Sequence, residues 1–170
     1  MVLIRKVFIL ILLCIAKTFN FLLKRKNYLF YNKITEKLDT ELYINKGILG
    51  SQLKFYCPNS IIEWRVNNLI SKEPKTIEWI NNFNGEKIVF WDVGANIGVY
   101  SIYAALKHLD KIKVNSFEPS TSNLRILSRN ININNYSEQI EIVQLPLFNN
   151  KLEFNKMNES RFIEGGALHS

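Results

Sequence analysis

The stretch from Lys87 to Ile133 alternates between strand-like and helix-like periods, and that order leaves few folds open. "KIVFWD" is apolar on both faces, as a central parallel strand should be, and the turn "VGANIG" follows it directly. "IGVYSIYAALKHL" then reads as a helix. "KIKVNSFEP" is a second strand stopped by Pro119, and "TSNLRILSRNIN" is a second helix with Leu124, Leu127 and Ile131 on its inner face. "IEIVQLPL" gives a third strand and "KLEFNKM" a fourth. Strands and helices alternating at these lengths predict an α/β fold with a doubly wound, mainly parallel sheet. Ligands of such sheets bind at the carboxyl ends of the strands, here Asp92 to Gly98 and Glu118 to Ser120.

Upstream, "ELYIN" and "QLKFYC" predict a short hairpin around Gly47 and Gly50, and "SIIEWRVNNLI" a helix. In "SKEPKTIEWINNF", Ser71 or Lys72 precedes a helix, Pro74 suits its first turn, and Ile77, Trp79, Ile80 and Phe83 form its inner face. "NYLFYNKITEKL" continues an amphipathic pattern. Three regions follow: a basic, apolar segment 1–33, a helical and hairpin extension 34–84, and a ligand-binding core 85–170.

Net charge separates these regions. The chain carries +7, which invites a nucleic-acid reading. Seven cations and no acid lie in residues 1–33, whereas the other 15 Lys and Arg face all 15 acids. The surplus therefore lies off the core, which argues against nucleic acid and for attraction to anionic lipid. "VFILILLCIA" is short for a membrane span and lacks a cleavage site. At 100° per residue, Arg5, Lys6, Lys17, Asn20 and Lys24 fall in one arc of roughly 120°, shared by Ile9 and Leu13, as in a helix lying in a membrane surface. A short signal-anchor and a helix packed on the protein's own domain are the alternatives. If the segment spans, the excess of cations after it keeps the core in the cytoplasm. Cys14 and Cys57 form no disulfide framework, and His108 and His169 read as isolated surface residues. Neither a metal site nor a Ser-His-Asp triad can be assembled from this inventory.

The turn after the first strand carries the chemistry. Asp92 closes the strand, Gly94 permits a positive φ, and Gly98 lets the helix start close to the sheet. The amides of Ala95, Asn96 and Ile97 are expected to point outward at the helix start. The dinucleotide fingerprint needs a middle glycine, which is Asn96 or missing here, and no Gly-Lys-Ser/Thr follows. Asp92 would repel a pyrophosphate but suits an ammonium or sulfonium. Glu118, at the end of the next strand, is placed to accept hydrogen bonds from ribose hydroxyls. A ligand with a cationic amino-acid part and a ribose is S-adenosylmethionine. In the bland alternative Asp92 and Glu118 merely cap strand ends.

These residues resemble the FkbM family of S-adenosylmethionine-dependent methyltransferases. The resemblance runs over about residues 60–170, through "SKEPKTIEWINNF", "VFWDVGANIGVYSIYAA", "SFEPSTSNLRILSRNIN", "IVQLPLFNN" and "GGALHS". It implies a Rossmann-like class I fold, with Asp92, Gly94, Ala95, Asn96 and Gly98 around the methionine part of the cofactor. It also implies Glu118 on the ribose, Phe117, Pro119 and Ser120 shaping the adenosine pocket, and adenine near Leu145 and Pro146. Similar proteins methylate hydroxyl groups, often on sugars or natural products. The class I fold has seven strands, so a sheet incomplete at its C-terminal side is expected from a truncated chain. No catalytic base is assigned. The implied activity is O-methylation of a glycan, lipid-linked sugar or natural product. The alternatives are a non-catalytic remnant or binding module and an NAD-dependent oxidoreductase.

Overall fold

A computed structural model describes residues 10–18, 21, 29–145 and 163–166. The chain divides into two compact units, Met1–Leu42 and Tyr43–Ser170. In the first, residues 10–18 form a helix, α1, with Leu10, Ile11, Leu12, Leu13 and Ile15 exposed, and α2 spans Leu29–Glu41. Arg5, Lys6, Asn20 and Lys24, which carry the expected basic arc together with Lys17, lie outside the described residues. Among the described residues no helix is long and apolar enough to cross a membrane.

The second unit begins with the expected hairpin, β1 (Tyr43–Ile48) paired antiparallel with β2 (Ser51–Tyr56). Its two-residue turn is Leu49–Gly50, with φ of 50° and 78°, the double positive φ of a type I′ turn. The segment expected as one helix from Ser60 breaks at Asn68. Helix α3 (Ser60–Asn67) opens on Asn59, whose side chain accepts from the amides of Ile61 and Ile62, and a single turn, α4 (Leu69–Lys72), follows. Helix α5 (Pro74–Asn81) begins at Pro74 as expected. Ile77 and Ile80 are buried, but Trp79 is mostly exposed and meets Phe83 and Phe90 edge-on, with ring centroids 4.9 and 5.7 Å away.

Three parallel strands follow in the order β3 (Ile88–Val93), β4 (Ile112–Phe117), β5 (Ile140–Val143). They are connected through α6 (Val99–His108) and α7 (Thr121–Ile133). The parallel α/β arrangement is thus the expected one. β5 is shorter than "IEIVQLPL" suggested, and "KLEFNKM" lies outside the described residues. The core between strands and helices is aliphatic: Ile102, Ile112, Val114, Ile126 and Leu127 are fully buried. One expectation is corrected at β3. Phe90 and Asp92 are buried, but Val89, Trp91 and Val93 on the alternate face are 67%, 58% and 59% exposed. β3 is an edge strand of the described sheet, and one of its two faces is uncovered. His108, read as a surface residue, is half-buried, with Nε2 2.8 Å from the Ile80 carbonyl and its ring stacked on Phe83.

The inner face of α7 also differs from its apolar pattern. Leu124 is half-buried, while Ser122, Asn123 and Asn130 are buried beside Ile126, Leu127 and Ile131. The asparagines are inside because they satisfy backbone. Asn130 Oδ1 accepts from the Tyr56 amide at 2.8 Å, and its Nδ2 donates to the Ile97 carbonyl at 2.9 Å. Asn134 does the same for the β2 edge, accepting from Lys54 N at 2.9 Å and donating to Lys54 O at 2.8 Å. Two carboxamides thus stand in for the strand that would otherwise cap this edge. Asn130→Leu keeps the volume but strands a buried N–H and a buried C=O. At about 1–3 kcal/mol for each orphaned group, it should cost about 2–6 kcal/mol, read as a lower urea midpoint at unchanged m-value.

Candidate cofactor site

Asp92 is the fifth residue of β3, and register places Val93 beside Phe117 on β4, so the carboxyl ends of the two strands lie side by side. The turn between β3 and α6 folds back onto β4. The amides of Gly94 and Ala95 both donate to the Phe117 carbonyl, at 2.9 and 3.0 Å. The Asn96 amide donates to Glu118 Oε2 at 2.7 Å. Gly94, Asn96 and Gly98 all take positive φ, 79°, 53° and 83°. Asparagine tolerates this left-handed conformation, which is why the turn closes without a middle glycine. A Cβ at Gly98 would lie 2.4 Å from Leu127 Cδ1, so this glycine brings α6 against α7 rather than against the sheet.

This geometry corrects one expectation. The Ala95 and Asn96 amides do not point outward; a carbonyl and a carboxylate of the next strand end hold them. The turn therefore presents few free N–H groups to an anion.

Glu118 is 3% exposed, and each of its carboxylate oxygens holds one amide, Asn96 N on Oε2 and Ser120 N on Oε1 at 2.9 Å. Each oxygen keeps a second lone pair for another donor. Asp92 is buried too. Ser101 Oγ donates to Asp92 Oδ2 at 2.5 Å, and Ser116 Oγ lies 2.7 Å from Ser101 Oγ, as donor once Ser101 has given its proton to Asp92. Burial pushes the Asp92 carboxyl up to about 6 against the pull of Ser101, and the nearby carboxylates of Glu118 and Glu73 add to the rise.

A cavity of about 370 Å³ opens at this strand end, within the usual range for a small-molecule site. It brings together the expected Asp92, Gly94, Ala95 and Asn96. Gly98, Phe117, Glu118, Pro119 and Ser120 do not line it. Leu145 is described and 61% exposed, and Pro146 lies outside the described residues.

The rest of its lining includes residues that the sequence pattern did not single out as site residues: Arg65 on α3, Lys72 at the end of α4, Glu73 after it, Thr76 on α5, and Tyr100 on α6. Lys72 Nζ pairs with Glu73 Oε1 at 2.6 Å, and Thr76 Oγ1 donates to Glu73 Oε2 at 3.3 Å. The bond from Lys72 is the main cause that lowers the Glu73 pKa. Burial, then the charge of Glu73 and a hydrogen bond with it, pushes Tyr100 up to about 12. Asn96 Oδ1 is a buried polar atom of the lining that has no hydrogen-bond partner among the described residues.

Residues 163–166 border the same place. Gly166 O accepts from Asn96 Nδ2 at 2.7 Å, Gly165 O from Arg65 Nε at 2.5 Å, and Glu164 O from Asn59 Nδ2 at 3.1 Å. Gly165 N donates to Asn123 Oδ1 at 2.8 Å.

No family model matches the chain, and no curated protein matches it. Solved structures do match in part. An Agrobacterium tumefaciens SAM-dependent methyltransferase is 11% identical over 61% of this chain and 32% of its own, at a TM-score of 0.43. P. horikoshii TYW2 in complex with MeSAdo is 16% identical over 62% and 36%, at 0.42. An Aquifex aeolicus SAM-dependent methyltransferase is 18% identical over 54% and 47%, at 0.41. The chain spans between 32% and 47% of the length of these three, and matches of this extent assign it neither a family nor an activity.

The Asp92 carboxyl makes stability depend on pH in a defined sense. Its folded pKa, about 6, lies above its ordinary 3.8, so the native state holds this proton more tightly. The stabilisation is complete below about pH 4, is lost as pH rises through 6, and amounts to about 3 kcal/mol at 1.36 kcal/mol per pH unit. Asp92→Asn should therefore melt higher than the parent above pH 6 and converge with it near pH 4, measured as paired thermal melts across that range.

Proposed function

We propose that the cavity binds S-adenosylmethionine and that the chain carries the cofactor half of a methyltransferase. The observation that carries this reading is the direction of the turn. Its Ala95 and Asn96 amides are spent on β4, and a buried carboxylate, Asp92, faces the space instead. A pyrophosphate needs the opposite arrangement, free amides and no acid. A cation beside Asp92 gains from the low dielectric and restores the carboxylate to its charged form.

The residues fit the cofactor in kind. Asp92 and Asn96 offer acceptors to its amino-acid end, and Glu118 keeps a lone pair on each oxygen for ribose hydroxyls. When bound, the cofactor supplies a methyl group activated by its own sulfonium, so the protein's part is position and exclusion of water. Pro119 and Ser120 continue from Glu118 on the adenosine side, with Phe117 at the β4 end and Leu145 beyond β5. As in the FkbM proteins that the sequence resembles, the acceptor is a hydroxyl on a glycan, a lipid-linked sugar or a natural product. Residues 1–33, basic and apolar, hold the chain at the cytoplasmic face of a membrane.

Thermal melts of the full chain with S-adenosylhomocysteine and with NAD test the reading. At about a hundredfold excess over the dissociation constant, the homocysteine ligand should add about 2.7 kcal/mol, a shift of several degrees. Its affinity should rise with pH through about 6, as Asp92 ionises. A shift with NAD alone would replace the reading with an oxidoreductase, and no shift with either would leave a binding module of another kind.

A further inference from the structure

Residues 163–166 make one turn, in which Gly166 N donates to the Ile163 carbonyl at 3.0 Å and Gly165 takes a φ of 78°. Side chains from distant parts of the chain hold its backbone. Asn59 Nδ2 donates to Glu164 O at 3.1 Å and Arg65 Nε to Gly165 O at 2.5 Å. Gly166 O accepts from Asn96 Nδ2 at 2.7 Å and from Asn123 Nδ2 at 3.3 Å. One bond runs the other way, from Gly165 N to Asn123 Oδ1 at 2.8 Å. Arg125 adds an ion pair to the Glu164 carboxylate at 2.9 Å.

These partners differ in where they stand. Arg65 and Asn96 line the cavity, and Asn59, Asn123 and Arg125 do not. Asn123 lies in the first turn of α7, is 2% exposed, and both accepts from the 163–166 turn and donates to it. A carboxamide bonded at both ends is fixed in its plane, and it fixes the backbone of Gly165 and Gly166 in turn. The turn passes that placement on. Gly166 O decides which way the Asn96 carboxamide lies, with Nδ2 toward the turn and Oδ1 without a partner among the described residues. Gly165 O fixes the plane of the Arg65 guanidinium in the same way. The seat is close: a Cβ at Gly165 would lie 2.6 Å from Ile62 Cγ1 on α3.

We propose that Asn123 is a positioning residue for the ligand of this cavity. It acts through the Gly165–Gly166 turn, which sets the Asn96 and Arg65 side chains, so that docking of the turn and occupancy of the cavity are coupled. This rests on the cofactor reading above and goes beyond it, because the role falls to residues that do not line the cavity. Such coupling is reciprocal: what the docked turn adds to ligand affinity, the ligand adds to docking.

The first measurement needs no variant. Amide hydrogen exchange of the full chain, with and without saturating S-adenosylhomocysteine, reads the docking at Gly165 and Gly166. With the ligand both amides should exchange at least about fivefold more slowly. Titration calorimetry with the same ligand then compares variants. Asn123→Ala and Gly165→Ala should each weaken binding about fivefold, the worth of about one net hydrogen bond. The double variant should bind no more weakly than the poorer single, because both changes release the same turn. An asparagine that served α7 alone would give losses that add, or none. Exchange at Gly165 and Gly166 that saturating ligand leaves unchanged overturns the proposal whether or not the variants fold. Unchanged affinity in the single variants, or additive losses in the double, overturns it as well. Those results would leave the cofactor reading standing. Failure of S-adenosylhomocysteine to bind the parent would remove the cofactor reading and this proposal together.

Discussion

Asn130 holds the second unit together at a point where no regular element could. Its carboxamide reaches back 33 residues to the Ile97 carbonyl and 74 residues to the Tyr56 amide, so one buried side chain on α7 fixes both the glycine turn and the hairpin. The turn's conformation, and with it the position of Asp92 and Asn96 on the cavity, depends on that anchorage. Gly98 serves the same purpose from the other side, because only a residue without a Cβ lets Leu127 of α7 come so close to the start of α6. Packing in this unit is therefore specified by polar fit as much as by apolar burial.

The cavity is built from two sources with different chemistry. The strand ends provide backbone shape and buried acid, and the helical extension provides the cations, a hydroxyl and an exposed indole. Asp92 is costly to keep there. Its neighbours are two hydroxyls and two other carboxylates, and no cation within the described residues balances it. Buried ionisable groups held without an opposite charge concentrate at functional sites, because a ligand can supply what the fold withholds.

Much of this was legible in the sequence, for identifiable reasons. The change from strand to helix period at "WDVGANIGVY" and the stop at Pro119 located both strand ends, because periodicity and proline act locally. The direction of the turn's amides was not legible, since it depends on the Phe117 carbonyl and the Glu118 carboxylate more than twenty residues away. Tyr100 sits in an apolar helical run and reads as core, and Arg65 and Glu73 sit in ordinary amphipathic helices. Only the packing of α3 to α5 beside β3 makes a wall of them. Asn123 and Asn130 resemble a solvent face in "SNLRILSRNIN", because a polar residue's burial is decided by a distant backbone group that needs it. At β3 the inference from two apolar faces to a covered strand failed, since composition records what a face can bury and not what lies against it.

The bonds to residues 164 and 165 span 105 residues from Asn59 and 100 from Arg65, far longer than the β3–α6–β4 unit they adjoin. Contacts between residues so far apart close late, because the chain between them loses its freedom before the contact returns anything. Arg65 is locked by Gly165 through one of these late contacts. The border of the cavity is thus its latest-closing part, held by contacts of far greater sequence separation than those inside the β3–α6–β4 unit.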